Sequence, residues 1–226
     1  MDTLASRDPR LARLIAETQE FRIEVETAGA DTPYEVLLES IAYQSISGKA
    51  AETIFNRVKT LGKNGHAPSP DQMLQIPARA LRKAGLSGAK VLAMKDLAKK
   101  TLQGVVPSRA EAEKLSDEQL VARLISVRGV GAWTVEMFLI FRLGRPDVLP
   151  IHDLGVQKGY AVTYGKRFIP KPKDLLKFGE RWRPYRTVAS WYMWRAVHQN
   201  AAKARKIGRA PTKKPRRKRR NSRKSL

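Results

Sequence analysis

Asp153 is the side chain whose neighbours in the sequence best suit it to chemistry. It lies between the segments Leu-Pro-Ile-His and Leu-Gly-Val, and this pattern predicts that it is the N-cap of a helix. The positive end of a helix dipole favours an ionised carboxylate. Such a group can stabilise a cationic, oxocarbenium-like sugar or orient a water molecule to attack it. Because aspartate is a common N-cap, the spacing alone favours a structural role over a catalytic one.

Gly129 and Gly131 form a second informative feature. They separate two segments with helical periodicity, and a capping box of Ser116 and Gln119 starts the first of these. Glycines here leave backbone N–H groups uncovered at the start of the next helix, where the amides and the helix dipole both favour anions. A DNA phosphate could therefore approach the main chain. The alternative is that the glycines only link two packed helices.

The charge of the chain favours a polyanionic partner. It contains 44 Lys and Arg against 21 Asp and Glu, which gives a net charge of +23. Residues 203–226 hold 13 of the basic residues and no acidic one, so residues 1–202 still carry a net charge of +10. An excess that persists outside the terminal basic run indicates phosphate neutralisation, and nucleic acid is the expected substrate class.

Several classes of protein are excluded or disfavoured by composition. The chain has no Cys, which excludes disulfides, thiolate zinc sites, iron–sulfur clusters and a cysteine nucleophile. His66, His152 and His198 have no metal-ligand spacing, so we expect no cofactor and no catalytic metal. No stretch approaches the roughly 18 unbroken apolar residues of a membrane span, and the N-terminus has no secretory pattern. We therefore expect an intracellular protein with no membrane partner.

Helical signals dominate the elements that must position these residues, and they predict an all-α fold without internal repeats. The first long helix is expected to follow Asp8-Pro9 and to close near Gly29. The last folded helix is expected to end near Ala201, and residues 203–226 are predicted to be a disordered basic tail. This tail could increase nonspecific DNA affinity or act as a nuclear localisation signal.

Five aromatic side chains crowd into one C-terminal segment: Trp182, Tyr185, Trp191, Tyr192 and Trp194. Such a cluster can be packed core, or its exposed members can stack on bases. An aromatic-walled pocket attracts cations, so it would favour a positively charged, alkylated purine over a normal base. That purine is already a good leaving group, and its release would not require a strong general acid.

Taken together, these motifs resemble the helix-hairpin-helix (HhH-GPD) superfamily of DNA glycosylases, and within it the 3-methyladenine DNA glycosylase II type. The resemblance covers roughly residues 30–200. It is carried by residues 41–51, 85–90 and 127–136, by Asp153, and by residues 181–194. The chain has no room for the extra N-terminal β-rich domain of some relatives, so we expect that domain to be lacking.

The resemblance implies a two-lobed helical fold over residues 1–202, with the hairpin at about 117–143 and an active-site cleft between the lobes. Asp153 would be the catalytic residue. The base pocket would be formed by Tyr43, Trp133, Met137 and Trp194. DNA would be contacted by Gln44, Ser45, Arg128, Gly129, Val130, Gly131 and Thr134. The backbone of Val127 and Val130 is a candidate site for a structural monovalent cation.

The implied activity is removal of alkylated bases, such as 3-methyladenine and 7-methylguanine, from double-stranded DNA. The enzyme would extrude the base, hydrolyse its N-glycosidic bond and leave an abasic site. Relatives that also nick the strand carry a lysine where this chain has Trp133, so a monofunctional enzyme is expected. It would act as a monomer, in the cytoplasm or nucleoid of a prokaryote or in a eukaryotic nucleus. The alternatives are a non-enzymatic DNA-binding module and a glycosylase for uracil or hypoxanthine.

Overall fold

A computed structural model describes residues 2–23 and 32–208. Within these ranges the regular secondary structure is entirely helical, which confirms the predicted all-α class. A 3-10 turn, Glu180–Trp182, precedes the last helix. The α-helices are α1 Asp2–Arg7, α2 Pro9–Ala16, α3 Pro33–Tyr43, α4 Gly48–Lys59, α5 Pro70–Gln75, α6 Ala78–Lys83, α7 Gly88–Leu102, α8 Arg109–Lys114, α9 Asp117–Leu124, α10 Ala132–Phe141, α11 Leu154–Thr163, α12 Pro172–Gly179 and α13 Arg186–Gly208.

Capping residues in the sequence determine where many of these helices begin. Reciprocal capping boxes start α3, α5, α8 and α9, each pairing a Ser or Thr with a Glu or Gln three residues later. The hydroxyl and the carboxylate or amide satisfy backbone donors that the first helical turn leaves without partners. Each cap of this kind contributes about 1 kcal/mol.

The helices enclose two hydrophobic cores. The larger core is built mainly from α3 to α10 and includes Leu37, Leu97 and Leu124. The smaller core is built from α1, α2 and the helices that follow α10, and it includes Trp182 and Tyr192. Ile23 and Trp194 pack against both cores. The junction therefore lies beside Trp194, and residues of both units can meet there.

A glycine brings α11 and α13 unusually close together in the smaller core. A Cβ atom on Gly159 would lie 2.0 Å from the carbonyl oxygen of Met193, which is far inside van der Waals contact. The two backbones can approach this closely only because the residue has no side chain. This packing sets the position of the start of α11 relative to α13.

The helix predicted to follow Asp8-Pro9 and close near Gly29 is shorter in the structure. It corresponds to α2, which ends at Ala16, and residues 19–23 are not helical. Phe21 packs edge-on against Trp191 with ring centroids 5.5 Å apart, so an apolar residue that suits a helix face is partly buried from a non-helical segment. Tertiary packing overrides the helical pattern here. The rest of the predicted helix, up to Gly29, lies outside the described residues.

The last helix is longer than predicted. It continues past Ala201 to Gly208, so residues 203–208 are helical where a disordered tail was expected. Alanine, lysine and arginine are strong helix formers, and they fill most of residues 203–208. Gly208, the last described residue of the helix, is a poor helix former. Residues 209–226 lie outside the described ranges. Across the described helices, no segment combines the length and the apolar character that a membrane crossing would require.

Candidate active site at the junction of the two cores

Asp153 is the N-cap of α11, as its position in the sequence predicts. Its Oδ1 accepts the backbone N–H of Val156 at 2.8 Å. The indole Nε1 of Trp194 donates to the same oxygen at 2.8 Å. The indole Nε1 of Trp133 donates to Oδ2, also at 2.8 Å. Three helices, α10, α11 and α13, therefore converge on one carboxylate.

The Trp194 side chain is held in this orientation from two sides. Its ring stacks on Phe141 of α10, with centroids 5.8 Å apart and planes inclined by 23°. On the other side lies Gly155, where an added Cβ would come within 2.7 Å of Trp194 Cδ1 and 2.9 Å of Asp153 Oδ1. A larger residue at position 155 would displace the indole, the carboxylate or both.

The charge of Asp153 is stabilised without being neutralised. Its donors are two indole N–H groups and one backbone amide, and hydrogen bonds to an ionised acceptor are stronger than those between neutral groups. In the part of the chain that the structure describes, no Lys or Arg forms an ion pair with this carboxylate. The negative charge therefore remains available to a cation in the adjoining space.

A cavity of about 500 Å³ is lined by Trp133, the donor to Asp153 Oδ2, although Asp153 itself is not one of the lining residues. Trp133 is 47% exposed and connects the cavity to Asp153 through its indole N–H. This volume falls in the range of small-molecule sites. The residues that line the cavity are Ser40, Tyr43, Gln44, Ser45, Trp133, Thr134 and Met137. The structure thus brings together three of the four predicted base-pocket residues.

Trp194 does not line that cavity. It borders a separate one of about 300 Å³ with Phe141, Trp191, Arg195 and His198. Trp194 stacks on Phe141 and donates its N–H to Asp153. Trp133 is therefore the tryptophan in the wall of the 500 Å³ cavity. The expected aromatic pocket is therefore divided in this structure, with one tryptophan in the wall and the other beside the carboxylate.

The hairpin between α9 and α10 exposes its main chain. Gly129 has a φ of +79°, and a Cβ there would lie 3.0 Å from Ala93 of α7. Gly131 is the N-cap of α10 and provides no side-chain acceptor for the amides of the first turn. An anion can therefore approach these amides and the positive end of the helix dipole.

Two charged residues of α7 position the hairpin, and sequence reasoning did not identify them. Asp96 Oδ2 accepts the backbone N–H of Arg128 at 2.8 Å and the Nζ of Lys100 at 2.9 Å. Lys100 also donates to the carbonyl of Ser126. Burial acts to raise the pKa of Asp96, but the amide of Arg128 and the ammonium group of Lys100 lower it below its usual value. The i, i+4 spacing of this Asp and Lys was the available signal.

The turn after α3 lies against the same hairpin. Gln44 Nε2 donates to the carbonyl of Gly129 at 2.9 Å, and Lys90 Nζ donates to the carbonyl of Ala42 at 2.8 Å. Burial lowers the pKa of Lys90. Ser45 has a φ of +59°, and the neighbouring Ile46 is exposed, so either can face a ligand placed against the turn. The turn and the hairpin are thus joined directly, whereas two of the predicted DNA-contacting side chains, Val130 and Thr134, are buried.

The candidate cation site at the hairpin consists of neutral backbone oxygens. The carbonyl of Val127 accepts the N–H of Val130 at 3.0 Å, which leaves one lone pair on that oxygen. Neutral carbonyl ligands suit a monovalent ion better than a divalent one, which needs carboxylates to balance its charge. Within the described ranges, no cluster of His, Asp or Glu could hold a metal ion. The monovalent site stays a prediction.

The fold and the site together define a class: helix-hairpin-helix proteins that act on DNA. The hairpin presents open amides, and a carboxylate with three neutral donors is bonded to Trp133, which lines a cavity. More specifically, the chain belongs to the HhH-GPD superfamily of base excision DNA repair proteins, whose family model matches residues 38–184. The resemblance found in the sequence motifs is thereby confirmed.

Named relatives and solved structures agree with this assignment. DNA-3-methyladenine glycosylase 1 of Schizosaccharomyces pombe is 41% identical over 163 residues, which cover 72% of each chain. The structure of a 3-methyladenine DNA glycosylase of that yeast bound to abasic DNA superimposes with a TM-score of 0.75, at 38% identity, covering 85% of this chain and 93% of that one. A DNA-3-methyladenine glycosidase of Bacillus halodurans gives a TM-score of 0.79 at 33% identity, covering 88% and 89%.

Proposed function

We propose that this chain is a monofunctional DNA-3-methyladenine glycosylase that releases alkylated purines from double-stranded DNA. The observation that carries the proposal is the carboxylate of Asp153, which accepts hydrogen bonds from two indole N–H groups, one of them from Trp133 in the wall of the cavity that Tyr43 also lines. The same activity is supported by two relatives, the Schizosaccharomyces pombe glycosylase at 41% identity and the Bacillus halodurans glycosidase at 33%.

In this mechanism, the hairpin binds the DNA backbone through the amides around Gly129 and Gly131. The turn at Gln44 and Ser45 lies against the duplex, and the damaged nucleotide leaves the stack and enters the cavity. Extruding the base costs a few kcal/mol, and less for a damaged base. Trp133, Tyr43 and Met137 then surround a purine whose positive charge is attracted to aromatic ring faces.

Bond cleavage follows from the charge distribution. As the bond between the sugar and the purine nitrogen lengthens, positive charge moves from the base to the sugar. Asp153 stabilises this developing cation, and the base departs as a neutral molecule with the bonding electron pair. Water adds to the sugar as the base leaves, and an abasic site remains. Position 133 holds a tryptophan rather than a lysine, so no amine is available there to form a Schiff base and nick the strand.

The test is the variant Asp153→Asn, assayed on alkylated duplex DNA under single-turnover conditions. Asparagine is an equally good N-cap, but it is neutral and turns an NH₂ group toward an indole N–H. We expect base release to fall by at least about 100-fold, because a preorganised charge is lost from the transition state, while DNA affinity changes little. Asp174→Asn is the control, since that residue is an exposed carboxylate in the first turn of α12.

The same assay separates the alternatives. Strand breaks that appear only after hot alkali indicate base release without lyase activity. Breaks without alkali would contradict the monofunctional assignment. Undiminished release by Asp153→Asn would remove this residue from the mechanism. No release from any of a set of duplexes carrying 3-methyladenine, 7-methylguanine, uracil or hypoxanthine would favour a DNA-binding module without activity.

The proposed partner is double-stranded DNA with alkylated bases, bound by a monomer. The protein would act where that DNA is, in the nucleoid of a prokaryote or the nucleus of a eukaryote. Sedimentation of the free chain and of its DNA complex tests the proposed stoichiometry. A dimer in either state would contradict it.

A further inference from the structure

Hydrolysis of a cationic alkylated purine from its sugar releases one proton, and this inference rests on the proposed function. The glycosidic electron pair goes to the base, which departs neutral. The oxygen of water forms a bond to the sugar carbon. One proton of that water remains, since the neutral abasic product keeps only the OH group. An efficient site must therefore have somewhere for this proton to go.

The oxygens of Asp153 already accept hydrogen bonds from Trp133, Trp194 and Val156, so a proton placed on one of them would compete with these contacts. A protonated Asp153 would also lack the charge that the next catalytic cycle needs. A second group close to Asp153, but outside the substrate cavity, would resolve this conflict.

Glu136 lies at such a position. It follows Trp133 by one turn of α10, and it faces a different cavity, of about 400 Å³, which lies between α10, α9 and residues 147–149. Residues 133, 134 and 137 of α10 line the substrate-side cavity, whereas 136 and 139 line this one, as opposite faces of a helix do. Glu136 Oε2 is buried and has no hydrogen-bond partner among the described residues.

The charged groups around this cavity are mostly acidic. Asp117 and Glu118 face it from α9, Asp147 from the segment before Asp153, and Arg186 from α13. Arg186 is already bonded to Asp147, through Nε at 2.8 Å and Nη2 at 3.0 Å. Asp117 lies 3.4 Å from Arg145. The basic groups are therefore occupied by other carboxylates.

This environment matches the acidity that a proton acceptor needs. Burial first, and then the negative charge of Asp153, raise the pKa of Glu136 to about 7. A group with such a pKa can take up a proton and release it again near neutral pH. The geometric link to the site is α10 itself, since Glu136 lies three residues after Trp133, whose indole N–H donates to Asp153 Oδ2.

We propose that Glu136 accepts the proton released by hydrolysis, by way of solvent beside Asp153, and passes it out through the cavity behind α10. Glu136 does not touch the substrate in this scheme. It restores the site for the next reaction and removes the proton from the attacking water. The role assigns a function to a buried acid that neither DNA binding nor base recognition requires.

The test is the pH dependence of base release by the full-length chain on a duplex with one 7-methylguanine, at constant ionic strength and saturating protein. For the unaltered protein, we expect the single-turnover rate to fall about tenfold between pH 8 and pH 6, because the protonated carboxyl cannot accept a proton. Glu136→Gln should be about tenfold slower at pH 8 and should lose this pH step. Glu136→Asp should keep a step, because it retains an acid.

The control is Glu118→Gln, which removes one negative charge from the rim of the same cavity and should keep the full step. A step that persists in Glu136→Gln, at whatever rate, overturns the proposal. The proposal is also overturned if Glu136→Gln releases base at the same rate from pH 6 to pH 8 and that rate equals the pH 8 rate of the unaltered protein. Absence of base release by the unaltered chain would overturn the proposed function and this role together, whereas an active chain with an unaffected Glu136→Gln profile overturns only the role of Glu136.

Discussion

At the scale of single residues, the defining feature is a carboxylate surrounded by neutral donors. Each oxygen of Asp153 accepts an indole N–H, and the backbone amide of Val156 adds a third donor. Lysine or arginine in these positions would cancel the charge that the proposed sugar cation requires. Trp133 and Trp194 therefore act on Asp153 through their nitrogen atoms, in addition to any stacking of their rings on a base.

Phenylalanine substitutions separate these two contributions. Trp133→Phe and Trp194→Phe keep an aromatic ring but remove one donor from Asp153. A hydrogen bond to a charged group contributes about 1.5–3 kcal/mol, so we expect each variant to release base roughly tenfold to 100-fold more slowly. Single-turnover rates on methylated duplex provide the measurement.

Trp191→Phe is the control for this pair, because Trp191 packs edge-on against Phe21 and Tyr192 in the smaller core. Its rate should stay near that of the unaltered protein. If both test variants kept full rates while remaining folded, only the rings of Trp133 and Trp194 would matter.

At the scale of helices, two elements hold the site in place. One is α7, from which Lys90 supports the turn after α3, while Ala93 and Asp96 support the hairpin. The other is the pair α11 and α13, which brings the N-cap Asp153 next to Trp194. Neither element needs to contact DNA in order to determine where the contacting residues lie.

The close packing of α11 on α13 yields a stability prediction. Gly159→Ala would place a Cβ atom 2.0 Å from the Met193 carbonyl oxygen, so the helices must separate. Overpacking of this kind costs about 1–3 kcal/mol, which for a chain of this size lowers Tm by roughly 2–12 °C. Thermal unfolding followed by circular dichroism measures the change. Because the shift moves Asp153 away from Trp194, base release should also decline below the melting range.

Gly48→Ala provides the matched comparison. Apart from its chain neighbours and the backbone of its own helix, no described atom lies within 4 Å of the Cβ position at Gly48, at the start of α4. Alanine is a better helix former than glycine by up to about 1 kcal/mol, so Tm should stay constant or rise slightly. An equal fall in Tm for both variants would show that helix separation is not the cause.

At the scale of the whole molecule, charge and shape act together. Two helical cores meet beside Trp194, and the turn and the hairpin lie together on one face of the larger one. The chain carries a net charge of +23, and ten of its Lys and Arg residues lie in 209–226, beyond the end of α13. Removal of the basic segment 209–226 therefore leaves every residue that the structure describes in place.

Deletion of residues 209–226 should reduce the salt dependence of DNA binding. Each phosphate contact that is lost lowers the slope of log K against log salt by about 0.9. Fluorescence anisotropy with an undamaged duplex across a series of NaCl concentrations provides the slope. Base release at saturating protein should be nearly unchanged, since the site lies in the described part of the chain. An identical slope for both proteins would exclude a phosphate-binding role for the segment.

Signals that act over one helical turn could be interpreted from the sequence alone. The capping boxes at Thr32, Ser69 and Ser116, the N-cap role of Asp153 and the glycines of the hairpin each depend on residues within about four positions. The net charge likewise needs no structure. These features were sufficient to predict an all-α fold and a helix-hairpin-helix motif.

The tertiary structure decided the features that depend on helices far apart in the chain. Trp133 and Trp194 lie 20 and 41 residues from Asp153 in the sequence, and only helix packing brings their N–H groups to its oxygens. The burial of the Oε2 atom of Glu136 and the end of α2 at Ala16 are likewise outcomes of packing. A local pattern determines which face of a helix is apolar, but the geometry of the assembled cores determines which side chains meet there.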